Sequence, residues 1–196
     1  MTKINSENAG SKKNDKLIWQ EKERKTLFDT RIFSVCESIC RSPEGELAKF
    51  SVIETREWAI VIPVINDEFI MVRQWRHGAQ GISIEFPGGV VESGEDVTKG
   101  AMRELREETG CAAGKITKLG AFNPNPAIMT NQVHVFLAED LHSSGGQELD
   151  KDEFVNIEKV KVNGVLSSIG KPPYIHALMA SALCLYLQYT NLQNTK

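Results

Sequence analysis

The stretch GVVESGEDVTKGAMRELREETGC, residues 89–111, decides how the rest of the chain is read. Its spacing predicts a helix over residues 96–109, with Gly110 as the stop. Val97, Ala101 and Leu105 form an apolar row at i, i+4 spacing that can pack on a sheet. Beside that row, Glu104, Glu107 and Glu108 fall within an arc of roughly 100°, because a helix turns about 100° per residue. The placement is costly. A helix C-terminus carries partial negative charge, and like charges at i, i+3 or i, i+4 repel by about a few tenths of a kcal/mol per pair. A solvated acidic face is one way to tolerate this. A metal site is the other, since clustered carboxylates are the hard oxygen ligands that Mg²⁺ prefers. On that reading the glutamates repel each other and the helix dipole until a cation arrives. Three neighbouring features favour the metal. Pro87-Gly88-Gly89 ends a strand where glycine lets backbone carbonyls come close. Glu95 and Arg103, eight residues apart across the helix start, can pair and brace the loop. Gly110 closes the helix directly after the acids.

On the N-terminal side, ISIEFPGGVVE reads as a strand broken at Pro87. WAIVIPVI, residues 58–65, is a continuous apolar run of the kind a strand shows when both faces are buried. NDE turns the chain, and FIMVRQWR returns as the hairpin partner. From Leu17 to Thr55 the pattern is of short strands, with PEGE as a turn. On the C-terminal side, KITKLGAF and QVHVFLAEDL read as strands joined by NPNPAIMTN, a loop fixed by two prolines. HSSGGQELDKD is a polar loop, and EFVNIEKVKVNGVLSSI runs from strand into a short helix. PPYIHALMASALCLYLQY is expected to be a C-terminal helix starting at its prolines. Mixed strands and helices argue an α/β fold. Three regions follow: a polar, disordered tail over 1–16, a β-rich segment over 17–58, and a core domain over 59–192.

Composition narrows the function classes. The 196 residues suit one compact domain with a small extension. With 41% hydrophobic and 25% charged residues and a net charge of −3, nothing points to a nucleic-acid or membrane-surface partner. No apolar run approaches the roughly 18 residues of a membrane span. The N-terminal residues lack the apolar region of a secretion signal. Cys36, Cys40, Cys111 and Cys184 form no C-x-x-C pair and do not group with histidines, so free thiols in a reducing cytoplasm are expected.

Residues 89–111 resemble the Nudix box, G-x5-E-x7-R-E-U-x-E-E-x-G-U, where U is a bulky apolar residue. Every fixed position is present: Gly89, Glu95, Arg103, Glu104, Glu107, Glu108 and Gly110. Leu105 takes the first U, and Cys111, smaller than usual, takes the last. Chance agreement is on the order of 10⁻⁹ per starting position at ordinary residue frequencies. The resemblance implies an α/β/α sandwich around a mixed sheet, with a small N-terminal β-rich segment added. It implies hydrolysis of a nucleoside diphosphate linked to another moiety, with Mg²⁺ or Mn²⁺. Glu104, Glu107 and Glu108 match the metal ligands, and Gly88 matches a residue that adds its carbonyl. Glu95 and Arg103 match the pair that stabilises the loop.

Outside the box, VRQWRHG and ISIEFPGGVVE are similar to ADP-ribose and other nucleoside-diphosphate-sugar pyrophosphatases. Pro126 matches a proline that marks the ADP-ribose subgroup, although NPNPAIMTN is longer than usual and lacks the glycine after the proline. In that subgroup the N-terminal strands help form a swapped homodimer. LDKDEFVNIE matches the junction that supplies a catalytic glutamate, here Glu153, with Asp150, Asp152 and the box residue Glu107 as rivals. Arg76 matches a substrate-binding arginine. Arg73, three residues earlier in the same strand, faces the other side of the sheet, so one of the two reaches a phosphate. Glu85 matches a glutamate near substrate or metal, and a structural hydrogen bond fits it equally. Trp19 and Trp58 offer faces for a base, with core or interface packing as the alternative. His134 reads as a hydrogen-bonded strand residue. The expected reaction gives a nucleoside monophosphate and a sugar phosphate from ADP-ribose or a related sugar. A GDP- or UDP-sugar, a dinucleoside polyphosphate, or a sensor that binds without cutting remain the alternatives. The intact glutamates argue against the sensor.

Overall fold

The computed structural model describes residues 15–194. Residues 1–14, most of the tail expected to be disordered, lie outside the described residues, and Asp15–Leu17 form a 3₁₀ turn. The chain divides into two compact units.

The first unit comprises residues up to Thr55 together with Asn125–Thr130. Its strands β1 (Gln20–Asp29), β2 (Phe33–Arg41) and β3 (Leu47–Thr55) form an antiparallel sheet in the order β1-β2-β3. The proline-rich loop joins this sheet through one bridge. Ile53 N–H donates to Ile128 O at 2.7 Å, and Thr130 N–H donates to Ile53 O at 3.1 Å. β1 is exposed along its whole length, and Leu27 and Phe28 are more than half exposed.

The second unit covers Arg56–Pro124 and Asn131–Lys196. Its strands are β4 (Trp58–Ile65), β5 (Glu68–Arg76), β6 (Gly81–Glu85), β7 (Gly88–Val90), β8 (Cys111–Phe122), β9 (Val133–Ser143) and β10 (Val155–Lys161). They form one mixed sheet in the order β10-β5-β4-β9-β8, with β6 paired to β5 and β7 to β4. β4 and β9 run parallel, while the other pairs are antiparallel. The helices are α1 (Val97–Thr109), α2 (Val162–Ser168) and α3 (Ala177–Asn194).

The apolar run of β4 is explained by its two covered faces. Ala59 and Val61 pack with Ala101 and Leu105 of α1. Ile60 and Ile62 pack with Val165 of α2 and with Met179 and Leu183 of α3. The second unit is therefore the expected α/β/α sandwich. The hairpin turn falls at Asn66 and Asp67, both with positive φ, as a tight turn between twisted strands requires.

Two boundaries differ from the sequence reading. β8 starts at Cys111, not at Lys115, because β9 runs on to Ser143 and pairs with it from Cys111 onward. The last helix starts at Ala177, not at the prolines. Pro172 and Pro173 lie instead in a turn that is tied to the sheet, where Ile84 N–H of β6 donates to Pro173 O at 3.1 Å.

Candidate active site

α1 carries the box residues, and both of its ends are fixed. At the N-terminus Asp96 caps the helix, accepting Thr98 N–H at 3.0 Å and Lys99 N–H at 3.2 Å. At the C-terminus Gly110 adopts φ 64°, ψ 17°, and its N–H donates to Arg106 O at 2.7 Å. A side chain there would fail twice: the conformation is left-handed, and a Cβ would lie 2.6 Å from Gly145 O.

Arg103 is the hub of the braced loop. Its guanidinium donates to both oxygens of Glu95 at 3.1 and 3.2 Å, to Glu104 at 2.9 Å, to Glu107 at 2.8 Å and to Val90 O at 3.1 Å. The expected Glu95–Arg103 pair is present, and two box glutamates share it. Arg103 lowers the Glu95 carboxyl by hydrogen bonding, assisted by the Glu92 backbone.

Glu108 is buried and Glu104 half-buried beside it. Glu108 is 4% exposed and accepts the Gly88 N–H at 2.8 Å. Burial pushes its carboxyl up to about 8, against the Gly88 hydrogen bond, with the charges of Glu104 and Glu153 adding to the rise. Burial likewise raises Glu104 to about 7, against the Arg103 charge, with Glu107 and Glu153 adding to it. The two glycines hold this geometry. A Cβ on Gly88 would sit 2.1 Å from Ala59 O, and one on Gly89 would sit 2.7 Å from the Glu104 carboxyl. Among the described residues, no three acidic, histidine or cysteine side chains converge in metal-holding geometry, and both Glu104 and Glu107 are hydrogen-bonded to Arg103.

The sequence reading left a cation as the relief for charge at this helix end. The structure adds two others. Arg103 lies against Glu104 and Glu107, and the loop after β9 caps the helix carbonyls. Gln147 Nε2 donates to Glu108 O at 2.7 Å and to Val155 O at 3.2 Å. Glu148 N–H donates to Glu107 O at 2.8 Å, and Ser144 N–H donates to Gly110 O at 2.9 Å. These donors satisfy carbonyls that a helix end leaves open. Gln147 was missed in the sequence, where it is one polar residue in a polar loop.

Beyond the box, Arg76 and Glu85 form a bidentate pair at 2.9 and 2.6 Å. Glu85 is 1% exposed. Burial alone would raise its carboxyl, but the Arg76 hydrogen bonds and charge hold it below the usual range. A cavity of about 260 Å³ is lined by Trp58, Arg76, Glu85, Gly88, Gly89 and His176, among others. Arg76, Glu85, Trp58 and Gly88 are thus brought together. Arg73 is not on that wall; it pairs with Glu158 of β10. Trp19 and Pro126 belong to the first unit, where Trp19 meets Phe50 edge-on at 5.1 Å. Glu153 is exposed just before β10. Its carboxylate accepts the Asp150 N–H at 3.2 Å, and its N–H donates to Asp150 O at 2.9 Å. His134 pairs with Glu57, and all four cysteines are free.

The sequence profile of the NUDIX domain matches residues 55–178. The chain belongs to the NUDIX family. The ADP-ribose pyrophosphatase of Bacillus subtilis (strain 168) is 33% identical over 168 residues, covering 84% of this chain and 90% of that one. A methanol dehydrogenase activator of Bacillus methanolicus is 28% identical, covering 90% of this chain and 95% of that one. A crystal structure of an ADP compounds hydrolase shares the fold, with a TM-score of 0.80 at 24% identity over 89% of this chain and 95% of that one. The box is therefore a Nudix box in sequence and in its helix, and the chain is an enzyme of the Nudix pyrophosphohydrolase type.

Proposed function

We propose that this Nudix enzyme uses Mg²⁺, or Mn²⁺, to hydrolyse the pyrophosphate bond of ADP-ribose or a related nucleoside diphosphate sugar. ADP-ribose would give AMP and ribose 5-phosphate. The observation that carries this reading is that Glu104 and Glu108 lie against Gly89 and Gly88, and these two glycines line a cavity walled by Arg76. The kinship with the B. subtilis ADP-ribose pyrophosphatase supports the choice of substrate.

The donor set suits a hard divalent cation. Carboxylates raised to about 7 and 8 mark a place short of positive charge. Glu104, Glu107, Glu108 and the Gly88 carbonyl would hold the ion. Bound there, it would neutralise phosphate charge and lower the pKa of a water. The chain's own side chains do the rest. Arg76, 41% exposed at its side chain, offers positive charge to the diphosphate while Glu85 fixes its orientation. Glu153 takes the proton from water. Its charge reaches both Glu104 and Glu108, and it sits at the end of a loop that can close over substrate. Glu107 is the alternative base.

A homodimer built partly from residues 17–58 suits the exposed apolar side chains of β1, and light scattering reporting a stable monomer at micromolar concentration would count against it. A reducing cytoplasm suits the free cysteines, and no described helix is long and apolar enough to cross a membrane. The test of the reaction is a substrate panel with Mg²⁺, resolved by chromatography. ADP-ribose should give AMP and ribose 5-phosphate, with nucleoside triphosphates cleaved poorly. Triphosphates cleaved far faster than every diphosphate sugar would contradict the reading.

A further inference from the structure

His176 lies outside the Nudix box, 66 residues beyond Gly110 in the sequence. It immediately precedes α3, and its ring serves as that helix's cap. His176 Nδ1 accepts the Leu178 N–H at 3.2 Å, and its carbonyl accepts the Met179 N–H at 3.0 Å. This has a chemical consequence. A ring nitrogen that accepts a hydrogen bond carries no proton, so the neutral imidazole must carry its proton on Nε2. The cap therefore fixes a donor at the far side of the ring. Burial lowers the pKa of the ring, against the Glu85 charge, and so works with the cap to keep it neutral.

The Nε2 end of the ring lies near Glu85, and His176 lines the cavity that Arg76 and Glu85 also line. Its nearest carboxylate oxygen, Glu85 Oε2, is 4.0 Å away, too far for a hydrogen bond. Two cavities meet at this point. The one of about 260 Å³ runs to Gly88 and Gly89 beside the box. The other, of about 550 Å³, is lined by Trp75, His77, Ser83 and Ile175. Arg76 and His176 line both. A ligand with two bulky ends joined by a charged bridge would pass this pair at its bridge.

We propose that His176 is a substrate-binding residue whose Nε2–H donates to an oxygen of the diphosphate bridge, beside Arg76, where the substrate spans the two cavities. This rests on the diphosphate-cleaving reading above and adds a contact to it. The contact is made in the ground state and the transition state alike, so its loss raises KM and leaves kcat.

The test separates the capping role from the binding role. Asparagine is a good N-cap but its short amide does not reach the seam. His176→Asn should keep the wild-type Tm within about 2 °C, raise KM about tenfold for the best diphosphate substrate of the panel, and keep kcat within about twofold. His176→Gln, with a longer amide, should recover part of the KM and provides a second folded variant. An unchanged KM in both variants, with the wild type active, would overturn the inference and leave the reaction standing. So would a KM defect in His176→Ala that Asn restores in full, since that assigns the residue to the cap alone. A wild type that cleaves no diphosphate compound would overturn the proposed reaction and take this contact with it.

Discussion

Glu85, at the end of β6, and Glu108, at the end of α1, are almost equally hidden, at 1% and 4% exposure. Their carboxyls nevertheless move in opposite directions. Burial raises both, but Glu85 faces a bidentate arginine and ends below its usual range, whereas Glu108 has one amide N–H and rises to about 8. A single backbone hydrogen bond does not replace a cation. The difference separates a carboxylate that the chain neutralises for itself from one that it leaves for a ligand to neutralise. Arg103 makes the same division within the box. It holds Glu95 low and still leaves Glu104 at about 7.

Substitutions at these positions should break or sharpen the contrast. The largest effect should come from Glu108→Gln, which removes a ligand charge while keeping the shape. Turnover should be abolished and the fold kept. Near-normal Mg²⁺-dependent hydrolysis would show that Glu108 holds no essential metal. Next in size is Glu153→Gln, which should lower kcat by about 10²–10⁴ with metal affinity nearly unchanged. A loss below tenfold, with Glu107→Gln inactive but still binding metal, would move the base into the box.

Glu85→Gln should behave in the opposite way to Glu108→Gln. It strands Arg76 against a neutral amide and costs stability, by about 1–3 kcal/mol, less than a fully buried pair because Arg76 is 41% exposed. Thermal unfolding should fall by several degrees, and an unchanged Tm would mean that the pair is not structural.

The smallest effect is on pH dependence. Without metal, the folded protein holds protons on Glu104 and Glu108 that the unfolded chain releases near 4.5. Their contribution to stability is full at pH below that value and is lost as pH rises to about 8. Glu85 and Glu95, both lowered, act below 4.5 in the opposite sense. His176, lowered from 6.5, also opposes the trend, but only up to that pH. The fall in Tm should therefore be cleanest between pH 6.5 and 8. It should be a few degrees in wild type and flatter in Glu108→Gln. A rising Tm over that window would contradict the raised carboxyls.

The box was legible because its roles depend on residues close in sequence. The 3.6-residue period puts Leu105 inward and the glutamates beside it, and the Arg103–Glu95 pair joins the helix to the loop just before it, eight residues apart. The β4 run was legible because strands covered on both faces lose their alternation. What was hidden depends on contacts between distant segments. Gln147 acquires its role only when the loop after β9 meets the end of α1. His176 was obscured by a helix start placed at the prolines. Once α3 begins at Ala177, the residue before it stands out as a cap. The longer β8 was missed because Ala112, Ala113 and Gly114 carry little strand propensity, and pairing with β9 decides their conformation.

The central claim is that the end of α1 is short of a cation and that Glu108 is part of the reason. Thermal unfolding of wild type and Glu108→Gln at pH 8, each with and without millimolar Mg²⁺, tests it most directly. We expect wild type to gain several degrees with Mg²⁺, through binding to the folded state. We expect the variant to match or exceed wild type without metal and to gain little from it. A variant that is clearly less stable than wild type without Mg²⁺, or that gains as much as wild type when Mg²⁺ is added, would contradict the claim.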